Sequence, residues 1–149
     1  MTKFINNKRV CARGITVIDG KILFMERHRI LKNESLHYYT IPGGGVEEDE
    51  TFEEACLREI MEETNVKASI RCFLEKEKYE TGIVYWYLTN YESGTPCLGG
   101  EELERNSIEN HYNVVLMSID KLDDLNILGE GKRIIKKALE ILKEDNETL

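Results

Sequence analysis

The segment from Gly44 to Val66 reads GGVEEDETFEEACLREIMEETNV and is the most informative part of the chain. Thr51, followed three residues later by Glu54, has the pattern of a capping box and predicts the start of a helix. Asn65 is a residue type that accepts the left-handed conformation in which many helices end. The apolar residues between these two ends recur at helical spacing: Phe52, Ala55, Cys56 and Ile60.

Three glutamates continue this apolar stripe. At about 100° per residue, Glu59, Glu62 and Glu63 fall within an arc of about 100°. The same arc contains Phe52, Ala55 and Cys56 of the stripe. Like charges three and four residues apart repel each other, so the arrangement favours a neutralising cation such as Mg²⁺ or Mn²⁺. The alternative interpretation, an acidic and solvated helix, is common for glutamate-rich helices. The preceding glycines 43–45 are predicted to form a turn that exposes backbone groups next to this helix.

Outside this segment, hydrophobic patterning predicts several strands and a second helix. Residues 10–18 and 21–25 are predicted to pair as a hairpin around Asp19-Gly20, and residues 38–41 form a short strand that ends at Pro42. Further strands are predicted at 68–73, 83–89 and 113–117, a loop at 92–110, and an amphipathic helix at 132–142. The predicted class is α/β or α+β.

Length and composition indicate one domain spanning residues 1–149, with a formal net charge of −8. This charge argues against nucleic acids and anionic membranes as partners, because both require positive surfaces. No apolar stretch approaches the roughly 20 residues that span a bilayer, and the start lacks the apolar stretch of a secretory signal. The four cysteines are widely spaced, which favours reduced thiols in a cytoplasmic protein.

The segment resembles the Nudix (MutT-type) box, whose many fixed spacings make the match specific. The one departure is Asn65, which stands where the family has a glycine. The resemblance implies a single Nudix hydrolase domain with the family fold, an α/β/α sandwich in which helices flank a mixed β-sheet. The residues that match the fixed positions of the box are Gly44, Glu50, Arg58, Glu59, Ile60, Glu62, Glu63 and Val66.

The resemblance also implies a function, the hydrolysis of a nucleoside diphosphate linked to another group by water that Mg²⁺, or Mn²⁺ in its place, activates. Arg58 would orient the carboxylates, Glu50 would support them, and Glu59 is the expected general base. Glu63 and a glutamate of the later loop are rivals for that role. The implied metal ligands are the Gly44 carbonyl, Glu59, Glu62 and Glu63, with Glu102 or Glu109 completing the set.

Candidate substrate-binding residues lie mostly outside the positions that match the box. Arg27 follows the second strand and suits phosphate oxygens, although arginines at strand ends are often only solvated. Tyr39 is a candidate for stacking on a base, although single aromatic residues on strands are more often core. Gly43 and Gly44 are expected to approach the substrate with their backbone.

Two other functions stay open at this point. One is a nucleotide-sensing module that binds without cleaving, and the other is a pyrophosphohydrolase of RNA 5′ ends. The proline that marks ADP-ribose hydrolases in the family is absent near Thr81 to Ile83. The expected substrate is a small nucleotide derivative, and the sequence does not identify which one. The sequence does not determine the oligomeric state, and because many family members are dimers, a homodimer is compatible with it.

Overall fold

The computed structural model of the chain describes residues 1–107 and 110–145, with only the backbone described for Glu101, Glu102 and Glu104. Within these residues the chain forms nine strands, three α-helices and one 3₁₀ helix. The strands are β1 (Phe4–Ile5), β2 (Lys8–Ile15), β3 (Val17–Ile18), β4 (Lys21–Leu31), β5 (Glu34–Thr40), β6 (Gly43–Gly45), β7 (Lys67–Lys78), β8 (Gly82–Ser93) and β9 (Asn110–Ser118). The helices are α1 (Phe52–Thr64), α2 (Gly100–Arg105) and α3 (Gly131–Glu144), and the 3₁₀ helix is Ile119–Asp124.

The strands form two sheets. The first has the order β1-β2-β8-β7, with β6 also paired to β2, and it is mixed because β2 and β8 run parallel. The second sheet is antiparallel, with the order β3-β4-β5 and β9 paired to β4. The mixed α and β architecture with flanking helices is confirmed, but the strands are divided between two sheets where one mixed sheet was expected.

The two main helices cover opposite faces of the first sheet, which gives the predicted α/β/α layers. Side chains alternate along β2, so Val10 and Ala12 join the core under α1, while Cys11 and Ile15 join the core under α3. The α1 core contains Ala55, Cys56 and Ile60, and the α3 core contains Trp86, Leu88, Ile134, Ile135 and Ala138. The glutamates of α1 are thereby held against the edge of a packed sheet.

The predicted strand at residues 10–18 was wrong in one respect, because it is two strands in different sheets. The chain crosses between the sheets at the buried Thr16, whose hydroxyl hydrogen-bonds the Thr89 hydroxyl at 2.6 Å. Only Val17–Ile18 pairs with β4, around the predicted Asp19-Gly20 turn, where both φ angles are positive (49° and 75°). The predicted loop at 92–110 contains the short helix α2.

The predicted turn at residues 43–45 was also wrong, because these glycines form the strand β6 against β2. The cysteines are free thiols, with Cys11 and Cys56 buried. Among the described residues, no helix has both the length and the apolar character needed to cross a bilayer.

Candidate active site

The helix α1 begins and ends where its sequence predicts. The Thr51 hydroxyl accepts a hydrogen bond from the Glu54 backbone N–H at 3.0 Å, and the Glu54 carboxylate accepts one from the Thr51 N–H at 2.9 Å. Asn65 ends the helix in the left-handed conformation, with φ 61° and ψ 23°. Asparagine therefore fulfils the conformational role of the family glycine, and the register of the helix on the sheet is fixed from both ends.

The Arg58 guanidinium organises the carboxylates of the site. It donates two hydrogen bonds to the Glu50 carboxylate, from Nε at 2.6 Å and from Nη2 at 2.8 Å. Its Nη1 also donates to Glu59 at 3.1 Å and to Glu62 at 3.2 Å, and its Nη2 donates to the Gly45 carbonyl at 3.1 Å. These hydrogen bonds from Arg58 hold the pKa of Glu50 below its usual value and raise that of Arg58. One planar cation thus fixes three carboxylates and one strand carbonyl.

The three predicted metal-ligating glutamates differ in exposure. Glu63 is buried, with 6% of its surface exposed, whereas the Glu62 side chain is 51% exposed and lies at the rim. Burial raises the pKa of Glu59, although a hydrogen bond with Glu63 and the charge of Arg58 act in the opposite direction. Two carboxylates this close repel each other, and a divalent cation bound between them would remove that repulsion, so the pair fits such an ion.

Gly44 lies directly against the Glu59 carboxylate. A Cβ atom built on Gly44 would be 2.7 Å from Glu59 Cδ and 2.8 Å from each of its oxygens. Real Cβ atoms do not approach other atoms this closely, so only glycine leaves the carboxylate in its present position. The reason for glycine here is close approach, since Gly44 is not among the residues with positive φ.

A small cavity of about 120 Å³ adjoins this cluster. Glu63 contributes to its lining together with two arginines, Arg13 from β2 and Arg27 from β4. The Arg27 guanidinium lies over the Tyr112 ring at 4.3 Å and donates to the Tyr112 hydroxyl at 2.7 Å. Its Nε is buried and has no hydrogen-bond partner among the described residues. The other lining residues are Met25, Thr40, Gly43 and Tyr112.

A larger cavity of about 530 Å³ lies next to the small one, since Arg13 and Thr40 line both. Its volume is in the range typical of small-molecule sites. Aromatic rings of Tyr39, Tyr79 and Trp86 form much of its wall, and the Trp86 indole donates to the Glu77 carboxylate at 3.1 Å. A ligand with an anionic end and a flat apolar end would match the two neighbouring cavities.

The structure brings most of the predicted site residues together. Glu50, Arg58, Glu59 and Glu62 share one hydrogen-bond network, and Gly44 and Glu63 contact Glu59. Arg27 and Gly43 line the small cavity, and Tyr39 lines the larger one. Of the predicted loop ligands, Glu109 lies outside the described residues, and the Glu102 side chain is not described.

Sequence reasoning did not identify Arg13, Glu77 or Tyr112 as site residues. Arg13 donates to the Ile41 carbonyl at 2.7 Å and reaches the cavities because β2 pairs with both β6 and β8. That pairing joins residues far apart in the chain, so no local pattern around Arg13 reveals it.

A family model of the NUDIX domain matches residues 8–137. A comparison with curated protein sequences gives no significant match. Among solved structures, a NUDIX hydrolase from Nitrosomonas europaea aligns with a TM-score of 0.71 and 19% identity, over 97% of this chain and 76% of that chain. A MutT NUDIX hydrolase from Burkholderia pseudomallei aligns at 0.63 and 24% identity, over 87% and 97%. An ADP-ribose pyrophosphatase from Streptococcus suis aligns at 0.58 and 16% identity, over 94% and 93%.

These structural neighbours share the fold, and the family model covers most of the chain, including α1 and its glutamates. The residues of the box meet around the Arg58 guanidinium, next to a cavity that contains two further arginines. The chain therefore belongs to the NUDIX family and is a hydrolase that acts on pyrophosphate bonds.

Proposed function

We propose that the protein is a Mg²⁺-dependent pyrophosphohydrolase that cleaves a nucleoside diphosphate linked to another group. The observation that carries this proposal is the buried Glu63, which contacts Glu59 on one side and lines a cavity with Arg13 and Arg27 on the other. Carboxylates that suit a hard cation thus lie beside guanidinium groups that suit phosphate oxygens.

The donor set fits Mg²⁺, with Mn²⁺ as a substitute, because both ions prefer carboxylate, carbonyl and water oxygens. Glu59, Glu62, Glu63 and the Gly44 carbonyl would hold the ion. Glu102 or Glu109 as a further ligand stays a prediction. When bound, such an ion lowers the pKa of a bound water and stabilises charge on phosphoryl oxygens.

The roles of the surrounding residues follow from their contacts. Arg58 is a positioning residue, because its hydrogen bonds fix the Glu59 and Glu62 carboxylates relative to Glu50. Glu50 in turn keeps the guanidinium in place through two hydrogen bonds. Glu59 is the proposed general base, because its carboxylate lies between Arg58 and Glu63 within the cluster that would hold the ion. Glu63 and a glutamate of the later loop are rivals for this role.

The substrate's phosphate groups would occupy the small cavity and its base the larger one. Arg27 lines the small cavity, where its guanidinium would meet a phosphate oxygen, and Arg13 lines both cavities. The aromatic rings of Tyr39 and Trp86 offer a surface for a nucleobase. Gly43 borders the small cavity, and it must be glycine because a Cβ there would collide with the Ala12 carbonyl oxygen of β2. The four free thiols are consistent with a cytoplasmic location.

The test is a phosphate-release screen over nucleoside di- and triphosphates, nucleotide sugars, ADP-ribose and dinucleoside polyphosphates, with and without Mg²⁺. ADP-ribose belongs in the panel because one structural neighbour is named an ADP-ribose pyrophosphatase. The wild type should turn over at least one of these substrates only with Mg²⁺. Glu63→Gln should lower kcat by roughly 10²–10⁴-fold with an unchanged circular dichroism spectrum.

Glu54→Gln is the matched control, because Glu54 lies on the same helix and glutamine also completes a capping box. Equal losses in both variants would mean that the helix is damaged, and the assignment of Glu63 would fail. Tight nucleotide binding without turnover would favour a sensing module. Turnover confined to triphosphorylated RNA would favour RNA-end processing.

A further inference from the structure

All three histidines of the chain lie in one row across three neighbouring strands. His28 on β4 pairs directly with His37 on β5 and with His111 on β9. Glu26, two residues before His28 on the same strand, points to the same face of the sheet. The proposed hydrolase site does not use these residues. Side chains of the types that bind metal ions thus lie together on the second sheet, apart from the glutamate cluster.

Three ligand atoms converge within this row. Glu26 Oε2 lies 2.9 Å from His37 Nε2 and 3.8 Å from His28 Nε2, and all three atoms lie within 4.8 Å of one another. In a tetrahedral site with metal–ligand distances of about 2.0–2.1 Å, neighbouring ligand atoms are roughly 3.3–3.4 Å apart. The two distances from the carboxylate lie on either side of that value, so the spacing of these atoms suits a bound ion.

One rearrangement is needed before both histidines can bind the same ion. The His28 and His37 rings are stacked, with centroids 4.0 Å apart and planes at 8°. The lone pairs of stacked rings run side by side and do not meet at one point, so one ring must rotate about its Cβ–Cγ bond. The side chains of His28 and His37 are 45% and 43% exposed, so this rotation occurs at the surface and not inside a packed core.

Glu26 is well suited to be the anionic ligand. Its side chain is 19% exposed, and its Oε2 accepts hydrogen bonds from His37 Nε2 and from the Tyr39 hydroxyl. The Tyr39 hydroxyl lies 3.1 Å from Oε2, and this second contact holds the ligand atom in place, as outer contacts do in metal sites.

We propose that Glu26, His28 and His37 form a binding site for a transition-metal ion of the zinc class. Two imidazoles and one carboxylate are a donor set that zinc uses in proteins with a fourth position open to water. Imidazole ligands favour Zn²⁺, Cu²⁺ and Ni²⁺, whereas the oxygen ligands of the glutamate cluster favour Mg²⁺ and Mn²⁺. The two sites therefore select different ions.

The position of this site gives it a mechanical consequence. β5 is the last strand in the order β3-β4-β5, and backbone hydrogen bonds pair it with β4. An ion held by His37 of β5 and by Glu26 and His28 of β4 would link the two strands in addition to these hydrogen bonds. Tyr39, which hydrogen-bonds Glu26, is also part of the wall of the larger cavity. A bound ion would therefore hold Glu26, and through it Tyr39, in place at the wall of the larger cavity.

The test is a calorimetric titration of the full chain with Zn²⁺ in excess Mg²⁺, which keeps the glutamate cluster occupied. One equivalent of Zn²⁺ should bind. His28→Ala and His37→Ala should each weaken binding at least about 100-fold, since even a lost outer-shell partner costs 10–100-fold. With free Zn²⁺ 100-fold above Kd, the melting temperature of the wild type should rise by roughly 5–10 °C.

His111→Ala is the matched control, because His111 belongs to the row but not to the three ligands. Its ring centroid is 6.4 Å from that of His28, and its removal should leave Zn²⁺ affinity unchanged. The double variant Glu59→Gln/Glu63→Gln should also bind Zn²⁺ normally. Loss of binding in that variant would assign the ion to the glutamate cluster and overturn the proposal. Unchanged binding in His37→Ala, or equal loss in His111→Ala, would overturn it as well, and none of these readouts depends on turnover.

Discussion

Replacing Gly44 by alanine should disturb the glutamate cluster and leave the fold largely intact. The new Cβ would lie 2.7 Å from Glu59 Cδ, whereas ordinary contacts begin at 3.4 Å. The carboxylate must therefore retreat by about 0.7 Å, the difference of 3.4 and 2.7 Å. It can do so because it is the end of a flexible side chain, and alanine tolerates the φ of Gly44, which is not positive.

The size of the expected effect follows from this displacement. A misplacement of about 1 Å near the reacting atoms can cost about 10²-fold in rate, so kcat/KM should fall on the order of 10- to 100-fold. The Mg²⁺ concentration for half-maximal activity should rise, because Glu59 is a proposed ligand. The free energy of unfolding should change by less than about 1 kcal/mol, since no buried backbone contact is broken.

The assay compares Mg²⁺ activation curves and urea unfolding for the wild type, Gly44→Ala and Gly45→Ala. Gly45 is the matched control on the same strand, because its added Cβ would meet the far end of Arg9, 2.8 Å from Nη2, and not a glutamate. Gly45→Ala should keep nearly normal activity. Wild-type kcat/KM in Gly44→Ala would refute the idea that this contact sets the position of Glu59. Equal losses of kcat/KM in both variants would mean that strain in β6, and not the contact with Glu59, lowers the activity.

Three further predictions concern stability. Asn65→Ala should lower the free energy of unfolding in urea by about 1 kcal/mol, whereas Asn65→Gly should not lower it, because φ is 61° at this position and glycine adopts this conformation without strain. Arg58→Lys should lower it by about 1–3 kcal/mol and raise the Mg²⁺ requirement, because lysine cannot pair with both Glu50 oxygens, and unchanged values would contradict the positioning role. Hydrogen bonds from Arg133 hold the pKa of Glu75 below its usual value. A carboxyl group with a lowered pKa stabilises the fold above its unfolded-state pKa and loses this effect as the pH falls through the lowered value. The wild type should therefore have a higher melting temperature than Glu75→Gln at neutral pH, and the difference should vanish in acid.

The parts of the site that the sequence predicts are those whose causes are local. The capping box at Thr51, the apolar stripe and the left-handed Asn65 lie within one short segment, and each depends on neighbours three or four residues away. The network around Arg58 is also mostly local, since two of its carboxylates lie on the same helix. Helical geometry therefore brings these groups together before any sheet is considered.

The parts that the sequence does not predict depend on strand pairing between distant segments. Residues 43–45 are all glycine and have no strand propensity, and they become β6 because β2 offers a partner edge. Residues 10–18 have a continuous strand pattern, yet the chain changes sheets at Thr16, where a hydrogen bond to Thr89 holds the crossing. The histidine row has the same origin, because only the register of three strands aligns His28, His37 and His111.

β2 connects the two halves of the proposed site. Gly14 packs so closely under α1 that a Cβ would lie 2.7 Å from both Cys56 Sγ and Ile60 Cδ1, so this glycine sets the distance between helix and sheet. The preceding residue, Arg13, points to the opposite face and lines both cavities. It also pairs with Gly43, one residue from the glycine that contacts Glu59. The arginine that lines both cavities and the carboxylate-bearing helix are therefore positioned by adjacent residues of one strand, so any shift in the register of β2 would disturb both together.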